Sequence, residues 1–332
     1  MRTDISTPSQ AALKEALERL ASISMVVVGD AIVDRYIWGD VERISPEAPV
    51  PVLDVTRAED RLGGAANVAN NLAQLGVTVS LSALIGEDEE AASLKNLLAK
   101  FNIKHDLLVT DANRCTTVKT RVMAGQQQIV RIDHEVRTAP SEAAQQQLAR
   151  TVLKVGASAL FISDYGKGTV GQAVLDSVDS VVLAGASVMV DPHPSNYARY
   201  RRLGMCKPNR KEAESATGIK IVDNDSAALA ARSLLTVWGC HCVVLSLGAG
   251  GTCIVEESEP MSLFLPTKAR QVFDVSGAGD TLAAVFAAAK HAGCTTAIAG
   301  ELANLAASVV VSQIGTVPVT KELLWREIEQ IN

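Results

Sequence analysis

Val272-Phe-Asp-Val-Ser-Gly-Ala-Gly-Asp-Thr-Leu-Ala-Ala-Val-Phe-Ala-Ala-Ala289 starts as an extended run, breaks at Ser276-Gly277-Ala278-Gly279 and continues as a segment apolar on nearly every side. A helix without a polar stripe is normally buried. Its first turn then lies inside the protein, with several backbone N–H groups lacking helical partners. Gly277 and Gly279 bring no side chain that would hold a ligand away from those donors. The stretch therefore reads as an anion site built from backbone, with Asp280 in its first turn. A carboxylate beside donors suited to phosphate fits a general base for phosphoryl transfer. It fits equally well a helix start where the dipole favours an acid.

The chain has 332 residues, room for one large α/β domain or two ordinary ones. One domain over residues 1–332 is the economical reading, because no linker, repeat or low-complexity tract interrupts it. Hydrophobic residues make up 48% and aromatics 4%, so the core is built from Ala, Val, Leu and Ile. A net charge of −6 argues against nucleic acid as a partner. No segment approaches the roughly 18 apolar residues of a membrane span. The amphipathic Ala11–Leu20 reads as a surface helix, not a signal peptide. A cytoplasmic protein without a membrane partner is expected. Among six cysteines only Cys240 and Cys242 are close together, and Cys240-His-Cys242 lacks the second ligand pair of a structural zinc site. Buried free thiols are expected.

Met25–Asp30 is a continuous apolar run ending in Gly-Asp, the pattern of an interior parallel strand. Ala159–Asp164 and Ser187–Asp191 end likewise, and Lys167 follows the first of these in Tyr165-Gly-Lys-Gly168. Ligands of open α/β sheets gather at such strand ends. Asp30 and Asp34 can therefore grip polyol hydroxyls, or serve as turn aspartates. In Arg61–Gly76, Gly63 and Gly64 open a helix carrying Val68, Leu72 and Leu75, with Asn67 pointing towards whatever approaches its first turn. Segments 36–43 and 51–56 read as strands joined through prolines, and 116–122 and 127–132 as a hairpin around Ala124-Gly125. Lys119 and Arg121 share one face of that hairpin, and Arg131 on its partner strand adds a third cation. Such a cluster fits a phosphate or carboxylate, or a charged edge strand. Asn209 and Glu212 start a helix after Pro208, and Gly248–Thr252 is a glycine-rich turn. Strands and helices alternate with short connections, giving a largely parallel sheet covered on both faces. Segments near 35–58 and 112–134 pair into a lid over the strand ends.

Gly63-Gly64-Ala-Ala-Asn67 and Asp274-Val-Ser-Gly-Ala-Gly-Asp280-Thr281 resemble the two signatures of the ribokinase-like (PfkB) carbohydrate kinases. Within that family the chain is most similar to the D-glycero-D-manno-heptose-7-phosphate kinases. Gly29-Asp30 with Asp34-Arg35-Tyr36, Arg43–Pro51, Thr117-Val-Lys119 with Arg121-Val122, Gln127-Gln128, Arg131-Ile-Asp133 and Ser163–Gly168 carry this closer likeness. The resemblance implies an α/β fold, a ribokinase-like three-layer sandwich with a central, mostly parallel sheet and a small β lid. It implies transfer of the ATP γ-phosphate to the anomeric hydroxyl of heptose 7-phosphate, on the route to ADP-heptose and the lipopolysaccharide core.

By the same resemblance Asp280 is the base, and the N–H groups of Gly277, Ala278 and Gly279 hold the moving phosphoryl charge. Asn209 and Glu212 serve ATP phosphates and Mg²⁺, Glu212 through water. Lys167, Ser246, Gly248, Gly251 and Asn304 lie on the nucleotide side. Asp30, Asp34, Gly64, Asn67 and Asp164 hold the sugar, while Lys119, Arg121 and Arg131 take its phosphate. ATP and Mg²⁺ are the implied cofactors, with a monovalent-cation requirement left open. No G-x-x-x-x-G-K-[ST] loop is present, so residues 277–279 must replace that cradle. None of the five histidines forms the His-x-x-His signature of a fused nucleotidyltransferase, so a kinase-only form is expected. Asp191-Pro-His193 departs from a family Asp-Pro-Lys. Exposed lid strands seek a partner edge, so a homodimer joined through the lids is expected. The alternatives are another sugar or nucleoside kinase of the family, or a nucleotide-sensing protein on the same fold. An oxidoreductase is disfavoured, since no G-x-G-x-x-G follows the first strand.

Overall fold

The computed structural model describes residues 8–125, 127–155, 159–268, 275–313 and 317–331. The extended run expected at 272–274, including Asp274, lies outside them. The first strands are β1 (Ser24–Gly29), β2 (Ala31–Ile44), β3 (Pro51–Gly64) and β4 (Thr78–Ser82). Two short ones, β5 (Leu84–Ile85) and β6 (Val109–Thr110), precede β7 (Val118–Ala124) and β8 (Gln127–His134). Then come β9 (Ala159–Ser163), β10 (Val188–Asp191), β11 (Gly204–Cys206), β12 (Cys240–Ser246), β13 (Thr252–Glu256) and β14 (Leu263–Leu265). The helices are α1 (Gln10–Arg19), α2 (Ala65–Gln74), α3 (Glu89–Lys100), α4 (Glu142–Val155) and α5 (Gln172–Leu183). They continue with α6 (Arg210–Thr217), α7 (Asn224–Val237), α8 (Ala278–His291), α9 (Thr296–Val311) and α10 (Lys321–Glu329).

Eight strands form the main sheet in the order β14-β13-β12-β11-β10-β9-β1-β4. The strands from β12 through β4 pair in parallel, and β13 and β14 add an antiparallel edge. A sheet covered on both faces needs apolar side chains on both, which is why β9 is buried at every position. On one face Leu17, Leu72, Phe286 and Leu302 belong to a core fed by α1, α2, α8 and α9. On the other, Leu148, Val174, Leu234 and Trp238 come from α4, α5, α7 and the residue after it. The α8 segment that is apolar on nearly every side is buried continuously from Asp280 to Ala289, as its composition requires.

A second sheet, β3-β2-β7-β8, is the expected lid. Its first two strands run longer than their alternation indicates, because β2 follows β1 after Asp30 alone and β3 pairs with it back to Gly64. Gly63 and Gly64 thus end β3, and Gly64 also caps the start of α2 as expected. A side chain at 63 would meet Asp34 Oδ2 at 2.6 Å, and one at 64, where φ is +55°, would meet the Asp30 carbonyl at 2.4 Å. Glycine is what allows the lid strand to pass so close to the sheet. All six cysteines are free thiols, five of them buried. Among the described residues no helix is long and apolar enough to cross a membrane.

Candidate active site

The parallel order brings the carboxyl ends of β1, β9, β10, β11 and β12 to one edge of the sheet, where α8 begins. Gly277 caps that helix in the left-handed region (φ 80°, ψ −6°) and supplies no side-chain acceptor to its first turn. The Ala278 N–H reaches the Val275 carbonyl at 3.3 Å, and a half-buried helix start with no side-chain cap favours an anion. A side chain at Gly279 would lie 3.2 Å from the Lys207 ammonium, so a cation faces the same turn. Lys207 is buried and pairs with Asp191 at 3.1 Å. Burial works against its charge, but Asp191, Glu212 and Asp280 outweigh it and raise its pKa, keeping it a cation. Burial pushes Asp191 up to about 7, with Asp280 and Glu212 adding to the shift and Lys207 opposing it. Lys207 was absent from the residues singled out in the sequence. Its signal was a lysine closing a buried strand directly before Pro208-Asn209.

Asp280 is buried, and both its oxygens accept hydrogen bonds. Asn67 donates its amide to Oδ2 at 2.9 Å, and Tyr165 donates its hydroxyl to Oδ1 at 2.6 Å. Burial raises the Asp280 pKa, against these two bonds and Lys207. Asn67 therefore addresses the acid. It is held by Asn71, whose own carbonyl oxygen accepts from Thr281 at 3.1 Å, so α2 and α8 are tied together beneath the site.

Two strand-end carboxylates expected on the sugar have another task here. Asp30 accepts three backbone N–H bonds, from Tyr165, Lys167 and Thr169, each 2.9 Å. Asp164 accepts from the Gly166 N–H at 2.8 Å and from Asn196 and Tyr200, both at 2.6 Å. Together they fasten the loop that carries Tyr165. His193 belongs to this assembly as well. A side chain on Gly166 would meet its ring at 2.5 Å, so its nearest neighbour in that direction is the loop.

Strand register sorts the lid into two faces. Asp34, Lys119 and Asp133 lie across from one another, as do Tyr36, Arg121 and Arg131 two residues along on the same face. Arg121 pairs with the buried Asp34 at 2.6 Å, and Arg131 grips Asp133 at 2.8 and 3.0 Å. Lys119 enters no ion pair among the described residues. Burial lowers its pKa, with Lys167 and Arg131 adding to the shift and Asp133 and Asp34 opposing it. Lys167 pairs with Glu135 at 2.5 Å, which puts it with the lid cations and not on the nucleotide side.

At the start of α8 lies a cavity of about 330 Å³ lined by Ser246, Gly248, Gly251, Ala278, Gly279 and Asn304. The nucleotide-side residues expected there are thus brought together, Lys167 excepted. Asn304 donates to the Pro266 carbonyl at 2.7 Å. Asn209, bridged to Ser246, forms a capping box with Glu212: each accepts the other's backbone N–H, at 3.0 and 2.7 Å. This pairing keeps Glu212 near Asp191 and Lys207. No group of three or more His, Cys, Asp or Glu among the described residues could hold a metal by itself. Asp191 and Glu212 fit Mg²⁺, which keeps several waters and binds through one or two carboxylates plus substrate phosphates.

Proteins named bifunctional protein HldE share much of this sequence. The one from Citrifermentans bemidjiense is 40% identical over 314 residues, covering 94% of this chain and 64% of that protein. The one from Geobacter sulfurreducens is 42% identical over 310 residues, covering 90% and 61%. The chain thus spans less than two thirds of the length of these relatives. Phosphofructokinase-2 from Escherichia coli in complex with fructose-6-phosphate superposes with a TM-score of 0.77 at 19% identity, over 92% of this chain and 98% of that one. Arabidopsis thaliana ribokinase complexed with ribose and ATP does so with a TM-score of 0.71 at 19% identity, over 93% and 99%. These two show the ribokinase-like fold. The model of the pfkB family carbohydrate kinases matches residues 22–322, and the chain belongs to that family.

Proposed function

We propose that the chain transfers the γ-phosphoryl group of ATP to the anomeric hydroxyl of D-glycero-D-manno-heptose 7-phosphate, giving the 1,7-bisphosphate that leads to ADP-heptose and the lipopolysaccharide core. The observation that carries this reading is Asp280 itself, which directly follows Gly279 of the cavity and feels the charge of Asp34 on the lid. Asp280 accepts the proton of the attacking hydroxyl. The amides of Gly277, Ala278 and Gly279, with the Lys207 ammonium, meet the charge on the moving phosphoryl group. Asp191 and Glu212 would hold Mg²⁺, which would supply positive charge to the nucleotide phosphates. The lid cations, Lys119 foremost, take the 7-phosphate. The choice of heptose rests on the segments shared with heptose-7-phosphate kinases, Arg43–Pro51 above all. Use of ATP and a phosphorylated sugar fits a cytoplasmic enzyme.

³¹P NMR of a reaction supplied with ATP and heptose 7-phosphate is expected to show ADP and a second, anomeric phosphate. Turnover of fructose 6-phosphate, ribose or a nucleoside, with heptose 7-phosphate inert, would reassign the substrate. Lys119→Ala is expected to raise KM for the sugar phosphate about ten- to a hundredfold, the worth of one charged hydrogen bond, with KM for ATP little changed. Equal effects on both would remove Lys119 from the phosphate. Arg131→Ala is expected to act in the same direction but less, because Arg131 is held by Asp133.

The face of the lid opposite these cations carries Ile37, Val122 and Val130 across one row of the register and Thr120 and Ile132 in the next. Val130 and Ile132 are 45% and 56% exposed, which suits burial against a second lid in a homodimer. Ile132→Glu is expected to give a monomer by sedimentation velocity. A wild-type monomer, or an unchanged dimer in the variant, would dismiss this interface.

A further inference from the structure

Tyr165 has no part in the reading above, yet its hydroxyl makes one of the two hydrogen bonds to Asp280, at 2.6 Å. The loop that presents it is fastened with unusual thoroughness, since Asp30 accepts N–H bonds from Tyr165, Lys167 and Thr169 and Asp164 accepts one from Gly166. We propose that Tyr165 is a positioning residue for phosphoryl transfer: with Asn67 it fixes the plane of the Asp280 carboxylate and favours its ionised, proton-accepting form. The proposal rests on Asp280 being the base.

A carboxylate offers about four lone-pair sites. Tyr165 and Asn67 take one on each oxygen, which leaves others for the acceptor hydroxyl. Burial disfavours the charge on Asp280, and so does Asp34 from β2; Asp191 at the end of β10 repels it too. Lys207 after β11, Asn67 on α2 and Tyr165 after β9 favour it. The tyrosine's own hydroxyl is held well above its ordinary pKa by burial and by Asp280, so it stays a donor and takes no proton. Asp30 and Asp164 thereby act on the reaction at one remove, by holding the loop and not the sugar.

The test is kcat against pH at saturating ATP and sugar phosphate, where the acid limb reports groups of the bound complex. Tyr165→Phe keeps the ring and removes only the donor. It is expected to leave the melting temperature near the wild type and to move the acid limb upward by about one to two pH units. Incorporating a ring-fluorinated tyrosine, a stronger donor, at position 165 is expected to move the limb the opposite way. An unmoved limb in both, with Asp280→Asn inactive, would overturn the role of Tyr165 alone. Near-normal turnover of Asp280→Asn would instead overturn the reading on which it rests.

Discussion

Asp280→Asn is expected to lower kcat by about 10²–10⁴, the range for a lost general base, while KM for ATP stays near the wild type. An amide has nearly the shape of the carboxylate and can still accept the Tyr165 hydroxyl, but it cannot take a proton from the acceptor. Stability provides a second, independent sign. The folded protein raises the Asp280 pKa above its ordinary value of 3.8, chiefly through burial. The folded state therefore binds this proton more tightly than the unfolded chain, and ionisation destabilises the fold as pH rises through that interval. The variant, which never ionises, is expected to melt at or above the wild-type temperature at pH 7. The difference should fade below about pH 4, where the wild-type acid is protonated in both states. A variant that loses activity and melts much earlier would show Asp280 to be structural.

Lys207→Met should have the second largest effect. It removes the ammonium that faces Gly279 while keeping an unbranched apolar stem, and kcat is expected to fall about 10²–10³, as when one charge-stabilising donor is lost. It also strands Asp191, and breaking a buried ion pair from one side costs about 3–5 kcal/mol. The double variant Lys207→Met with Asp191→Asn is expected to recover most of the melting temperature and little of kcat. Recovery of both would reduce Lys207 to a partner for Asp191, without a part in transfer.

The glycine turn, the strand-end pattern and the lid were legible because each depends on local residue type. A continuous apolar strand, a glycine that must let backbone pass and a strand with charges on alternate positions all leave local marks. The roles of the carboxylates did not. Asp30, Asp164 and Asp280 each sit at a strand end or a helix start, and only the third lies where its oxygens meet side chains from α2 and the Tyr165 loop. What Asp30 binds is decided by a loop more than a hundred residues later, so no local pattern could separate it from a ligand-binding acid. The significance of Lys207 likewise comes from the approach of Gly279 on a distant helix. Lys167 was displaced by a partner, Glu135, that sequence gives no reason to pair with it.

The most direct test of the central claim, that Asp280 is the base between two subsites, is a structure of the protein with heptose 7-phosphate and a non-hydrolysable ATP analogue. The expected result places the anomeric hydroxyl about 2.6–3.2 Å from an Asp280 oxygen. The γ-phosphate should lie over the amides of residues 277–279, and the sugar phosphate should lie at Lys119. A sugar phosphate bound with no hydroxyl in reach of Asp280, or with its phosphate away from the lid cations, would contradict it.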